Sequence, residues 1–234
     1  MVFVVAEIGV NWNGDFEIAK SMMENARNAG CNAVKFQSFN EDIIKDHPQK
    51  SRLFKSSISK NNIEIINELA KETGIEWFCT PMTIDAVELL NPFVKRFKIR
   101  EYDSRELIEN KITDLFENLL KTGKQIMIST EKSPTNCKFF KHPQVQWLYC
   151  VPKYPCNIND LDFKNIKEFH GFSNHCCEIA APLTAAILGA NIIEIHITSD
   201  KSKDFFDNNV SFEYTELNEL VRLIRCFEKI ATES

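Results

Sequence analysis

A small set of charged, hydroxyl and imidazole residues interrupts otherwise apolar runs, where an unpartnered polar side chain is costly to bury. Read with the two-residue period of a strand, Lys35 and Gln37 share one face of AVKFQ while Val34 and Phe36 take the other. Lys98 and Arg100 share a face of RFKIR, and Ser173 and His175 a face of GFSNH. Glu194 and His196 do the same in the run Asn191–Thr198, opposite Ile193, Ile195 and Ile197. Glu7 ends the first such run and Thr80 the third. Lys35, Lys98 and Arg100 read as a cationic cluster in an acidic chain, which points to an anionic small ligand such as a phosphate or carboxylate. His175 and His196 lie 21 residues apart. If they end adjacent strands, about 4.8 Å apart, they can share one divalent metal through neutral ring nitrogens. Asn174, Glu194 and Asp207 are near enough in sequence to orient ligands or metal-bound water. A histidine pair without metal is the alternative.

The elements that must position these residues alternate along the chain. Strands are predicted at Phe3–Ile8, Ala33–Gln37, Glu76–Thr80, Arg96–Arg100, Gln125–Thr130, Val145–Cys150, Gly171–His175 and Asn191–Thr198. Asp15 is placed to cap a helix with the stripe Ile18, Met22, Ala26, Ala29 and a stop at Gly30. Further helices are predicted near Ile63–Thr73, after Pro81, over Ser104–Lys121, Leu161–Phe169 and Ile179–Leu188, and on the face Leu217, Leu220, Val221, Ile224, Phe227. Residues 131–144 are polar and carry Pro134 and Pro143, so the fifth connection reads as shortened or without a helix. Eight strands alternating with helices imply an α/β fold with parallel strands, a (β/α)8 TIM barrel over residues 1–234. A doubly wound open sheet is the alternative. In a barrel the polar strand ends fall on the face where active sites form.

Composition narrows the function classes. The 234 residues carry 28 Lys+Arg against 33 Asp+Glu, a net charge of -5, with no basic stripe, so no nucleic-acid role is expected. No apolar run reaches the roughly 18–20 residues of a membrane span. MVFVVAEIGVNWNG lacks a basic leader and turns polar at Glu7, so the expected location is cytoplasmic. With only seven glycines and no GxGxxG or GxxxxGK[ST], Rossmann and P-loop phosphate binding are excluded. The eight cysteines read as reduced and mostly buried, without a CxxC pair.

The stretches AEIGVNWNGD (6–15), AVKFQSF (33–39), FCTPM (78–82), FKI (97–99), ISTE (128–131), YCVPKYP (149–155), GFSNHC (171–176) and IEIHITSDKS (193–202) resemble the N-acetylneuraminate (sialic acid) synthase family, in family order and over nearly the whole chain. The resemblance implies a barrel that condenses phosphoenolpyruvate with an open-chain N-acyl amino sugar. It implies a divalent metal, usually Mn²⁺ with Mg²⁺ or Co²⁺ as alternatives, held by His175 and His196. It places Lys35, Gln37, Thr80, Lys98 and Ser173 on phosphoenolpyruvate, and Glu7, Tyr154 and Asp207 toward the sugar. Glu7, Lys35, Lys98, His175 and His196 are the expected catalytic set, and a homodimer is the expected assembly.

The chain also departs from the family pattern. Trp12 stands where His is usual, Asn174 replaces the Asp of SDH, and Ile195 replaces the Lys of EKH. Glu101 and Pro152 stand at two family phosphate contacts, which leaves Arg100 and Lys153 as the expected substitute cations, beside Glu194 as a further binding residue. The family's C-terminal antifreeze-like domain, which lends an Arg to a neighbouring subunit's sugar site, has no counterpart in these stretches. A diverged metal-dependent lyase or aldolase acting on a sugar acid, and a non-catalytic binding subunit, are the competing readings.

Overall fold

A computed structural model describes residues 1–232. The eight apolar runs form parallel strands closed into a barrel in sequence order. They are β1 (Phe3–Gly9), β2 (Ala33–Ser38), β3 (Glu76–Pro81), β4 (Arg96–Ile99), β5 (Gln125–Thr130), β6 (Val145–Tyr149), β7 (Gly171–Asn174) and β8 (Ile192–His196). The helices are α1 (Phe16–Ala29), α2 (Lys50–Phe54), α3 (Ile63–Thr73), α4 (Ile84–Leu90), α5 (Glu101–Ile108), α6 (Asp114–Lys121), α7 (Ala180–Ile187) and α8 (Tyr214–Thr232). The open-sheet alternative is thereby excluded.

Local chemistry accounts for the element ends. Asp15 caps α1 by accepting from the amides of Glu17 and Ile18, and Gly30 closes it in the left-handed region at φ 90°. Ala19, Met22, Met23 and Ala26 form the face of α1 buried against the barrel. Strands enclosed on both sides need apolar residues on alternate positions for the helix layer. Val34, Phe36, Ile193 and Ile195 fill that role and are fully buried. Between β7 and β8 the backbones approach closely at Gly171, where a methyl group would lie 2.3 Å from the Ile192 carbonyl oxygen.

Three expectations need correction. The span predicted as one helix, Ser104–Lys121, is two: α5 begins earlier, at Glu101, and ends at Ile108, and Thr113 caps α6 through the Phe116 amide. Leu161–Phe169 is not a helix but an irregular stretch with a 3₁₀ turn over Ile166–Glu168. Its aromatics pack singly around Tyr149, with Phe163 at 5.9 Å and Phe169 at 5.5 Å between ring centroids, so their spacing imitates a helical stripe. Three strands, β4, β6 and β7, stop one residue early, leaving Arg100 as the N-cap of α5 and His175 in the loop after β7, and β8 stops two residues early, at His196. The fifth connection carries no helix, as its prolines imply, and is anchored by Phe139 on Phe116.

Candidate active site

The polar ends of the strands open into one cavity of about 300 Å³ at the C-terminal mouth of the barrel. Its floor is a buried lattice of ion pairs. Glu7 and Lys35 are register partners on β1 and β2 and meet at 2.8 Å. Glu194, from β8, reaches across the barrel to Lys98 at 2.8 Å and lies 3.8 Å from Lys35. Ser173 Oγ donates to the same Glu194 oxygen at 2.8 Å, Lys35 donates to Thr80 Oγ1 at 3.2 Å, and Gln37 Nε2 donates to Glu7 Oε1 at 3.0 Å. Burial pushes the Glu194 carboxyl up, but Lys35 and Lys98 outweigh it and hold it at about 2. Burial pulls the Lys35 ammonium down, and Glu194 and Glu7 more than restore it. The lysines predicted as a cationic cluster are therefore a neutral quartet with Glu7 and Glu194. The strand period shows which residues share a face, but it does not show which strands meet across the barrel.

His175 and His196 face each other with ring centroids 5.4 Å apart. His175 Nδ1 is 2.9 Å from the Val151 carbonyl oxygen. Donation there fixes the tautomer and leaves Nε2 as a lone-pair donor. Burial, with His196 beside it, lowers the His175 pKa to about 3, so the ring is neutral as a metal ligand requires. His196 Nδ1 is buried without a hydrogen bond and lies 3.4 Å from Asp207 Oδ2. Among the described residues no group of three or more His, Cys, Asp and Glu is gathered to hold a metal. Two facing imidazoles with open coordination fit a divalent ion that takes its remaining ligands from water or substrate.

Asp207 is placed from outside the strands. Its amide donates to Asn11 Oδ1 at 2.9 Å, and Asn11 is fully buried and bonded to the Ile197 carbonyl and Ser211 Oγ. Gly9 clears the space between: a Cβ there would lie 3.1 Å from Glu7 Oε1, 3.3 Å from Gln37 Nε2 and 3.4 Å from Asp207 Oδ2. The Tyr154 ring lies 4.0 Å from that of His175, after which comes the cis Tyr154–Pro155 bond. A second cavity adjoins past Gln37, Tyr154 and His196, walled by Val10, Phe39, Ile44, Met82 and Phe206.

Twelve of the thirteen predicted site residues thus line these two adjoining cavities. Lys153 does not. It lies on the outer surface, paired with Asp160, because the turn between Pro152 and Pro155 carries Tyr154 inward and Lys153 out. Arg100 lines the cavity, but Asp103 occupies its guanidinium at 2.6 and 3.0 Å. Tyr102, Arg105, Ser129 and Cys150 also line it and were not predicted. Ser129 and Cys150 were accessible to the same alternation that selected Lys98. Arg105 was hidden by starting the helix at Ser104. Burial pushes the Cys150 thiol to about 12, so it stays protonated. The departures have local explanations: Trp12 is core, its Nε1 donating to the Ser56 carbonyl at 2.9 Å, Ile195 faces the helices, and Asn174, at the end of β7, bonds Cys176 in the loop that follows.

Comparison with known proteins agrees with this architecture. The NeuB family model matches residues 22–234. An uncharacterized protein of Methanocaldococcus jannaschii is 32% identical over 97% of this chain and 71% of its own length. The N,N'-diacetyllegionaminic acid synthase of Campylobacter jejuni is 30% identical over 97% of this chain and 76% of its own. The crystal structure of the sialic acid synthetase of Leptospira borgpetersenii superposes with a TM-score of 0.86 at 28% identity, covering 98% of this chain and 85% of that one. With its barrel, its motifs and these relatives in accord, the chain belongs to the NeuB family.

Proposed function

We propose that this protein condenses phosphoenolpyruvate with the open-chain aldehyde of an N-acyl amino sugar, giving a sialic-acid-type 2-keto acid and phosphate. The observation that carries the reading is the Lys35–Glu194–Lys98 bridge beside the His175/His196 pair, all at the mouth of one barrel. Carbon 3 of the enol forms the new bond to the aldehyde carbon. Water adds its oxygen at carbon 2, the bond from carbon 2 to the phosphate oxygen breaks, and the two water protons end on the new hydroxyl and on phosphate.

Lys35, Lys98, Thr80 and Ser173 offer the donors for the carboxylate and enol oxygens, and Gln37 steadies Glu7. Glu7 and Asp207 flank the space at Gly9, where they can hold sugar hydroxyls and move a proton to or from the reacting oxygens. The apolar second cavity accepts the acyl group behind Tyr154. His175 and His196 would hold a divalent cation, Mn²⁺ with Mg²⁺ or Co²⁺ as alternatives, which supplies Lewis-acid polarisation of the aldehyde. The name of the Campylobacter jejuni relative, a diacetyllegionaminic acid synthase, supports the same product class.

Purified protein with Mn²⁺, phosphoenolpyruvate and a panel of N-acyl amino sugars is expected to release phosphate only when a sugar is present. No release with any sugar, while metal and phosphoenolpyruvate are bound, would contradict the reading.

A further inference from the structure

The floor of the site has no net charge to offer an incoming anion. Lys35 and Lys98 are matched by Glu7 and Glu194, and Arg100 by both oxygens of Asp103. A trianion such as phosphoenolpyruvate therefore needs a cation that can change partners. Arg105 is the most exposed of the cavity-lining cations, against 34% side-chain exposure for Arg100 and 5% or less for Lys35 and Lys98, and so the one best placed to change partners. It lies one turn along α5 from Glu101, which it binds through Nε and Nη2 at 2.8–3.1 Å, leaving Nη1 free for an anion. Its side chain is 57% exposed at the cavity rim, while that of Glu101 is only 13% exposed.

The ground beside it is built for an anion. The 8-residue helix α5 starts at the cavity wall, and its N-cap, Arg100, makes no side-chain cap. The first turn of α5 thus lies at the cavity wall, and a helix N-terminus is a favourable end for negative charge. Independently, Ser129 Oγ lines the same cavity, is buried, and has no hydrogen-bond partner. Ser104 Oγ donates to the Ser129 carbonyl at 2.7 Å and to that of Glu101 at 2.8 Å, pinning the start of α5 beside Ser129. The Tyr102 ring lies between the Arg100 and Arg105 guanidinium groups, 5.8 and 5.3 Å from them.

We propose that Arg105 is the cation that receives the phosphoryl group, over Ser129 Oγ and the N-terminus of α5, and that Glu101 sets how tightly it does so. This inference rests on the phosphoenolpyruvate reading above. Arg105 offers a guanidinium fork suited to phosphate. Glu101 holds that fork in place and competes with the phosphoryl group for it, so the site trades affinity for release.

Calorimetric titration of the folded, full-length protein with phosphoenolpyruvate, inorganic phosphate and pyruvate tests this. Arg105→Ala is expected to weaken phosphoenolpyruvate binding by about 10- to 100-fold, with pyruvate, which lacks the phosphoryl group, changed less than about twofold. Arg105→Lys, which keeps the charge without the fork, should fall between Arg105→Ala and wild type. Glu101→Gln should tighten phosphoenolpyruvate, and Arg105→Ala should cost less in that background because no unpaired carboxylate is left facing the phosphate. Unchanged phosphoenolpyruvate affinity in Arg105→Ala, or an equal loss for pyruvate, would overturn the inference and leave the proposed reaction standing. Wild-type protein that bound neither phosphoenolpyruvate nor phosphate would overturn both.

Discussion

Glu194 is a buried charge with half of its hydrogen-bonding capacity unused. It is fully enclosed and accepts from Lys98 and Ser173, yet its second oxygen has no donor. Ser129 Oγ and His196 Nδ1 are left unpaired in the same cavity. Buried polar atoms are nearly always satisfied in native proteins, so such exceptions need a reason, and a ligand that completes them is one. His175 belongs to the same scale and gives a pH prediction. In the unfolded chain it takes a proton below about pH 6.5, whereas in the folded protein burial holds its pKa at about 3. The unfolded state therefore binds more protons between these values, and stability falls as pH drops, by about 1.4 kcal/mol per unit from this group. Urea unfolding of the metal-free protein at pH 7 and pH 5 should show that loss, and His175→Asn should have a shallower slope. Equal slopes would contradict the assignment.

At the scale of elements, close packing between strands sets the geometry of the mouth. Gly171 lets β7 lie against Ile192 of β8, and β8 carries Glu194 and His196. Gly171→Ala is expected to lower unfolding stability by about 3 kcal/mol or more, as overpacking of a rigid core does. A loss below about 1 kcal/mol in chemical denaturation would show that the two backbones can separate. The strands and most helices were legible in the sequence, because alternation in β2 and β8 and the Asp15 and Gly30 caps of α1 are local signals. The inward set from Glu7 to His196 was legible for the same reason. What the sequence hid depends on contacts across space: the neutralisation of Lys98 by Glu194, the outward turn of Lys153, and the single-residue packing of Phe163 and Phe169 that produces no helix. The early start of α5 hid Arg105, which pairs with Glu101 at the cavity rim.

At the scale of the whole molecule, a chain of net charge -5 encloses a site whose lysines and arginines are all matched by carboxylates. Such a site does not draw anions by its own field, so a bound divalent cation should matter for affinity as well as for chemistry. Chelator treatment is expected to abolish sugar-dependent phosphate release and to weaken phosphoenolpyruvate binding, with both restored by Mn²⁺. Full activity in a metal-free preparation, verified by elemental analysis, would refute the role given to His175 and His196. No described helix is long and apolar enough to cross a membrane.

The fate of carbon 3 of phosphoenolpyruvate tests the central claim most directly. With carbon 3 labelled with ¹³C, Mn²⁺ and an N-acyl amino sugar that supports phosphate release, the NMR signal should move to a methylene bonded to the former aldehyde carbon, and Lys98→Met should abolish the transfer. Label recovered only in the methyl group of pyruvate, or left in unreacted phosphoenolpyruvate across the whole sugar panel, would show that the barrel does not form this carbon–carbon bond.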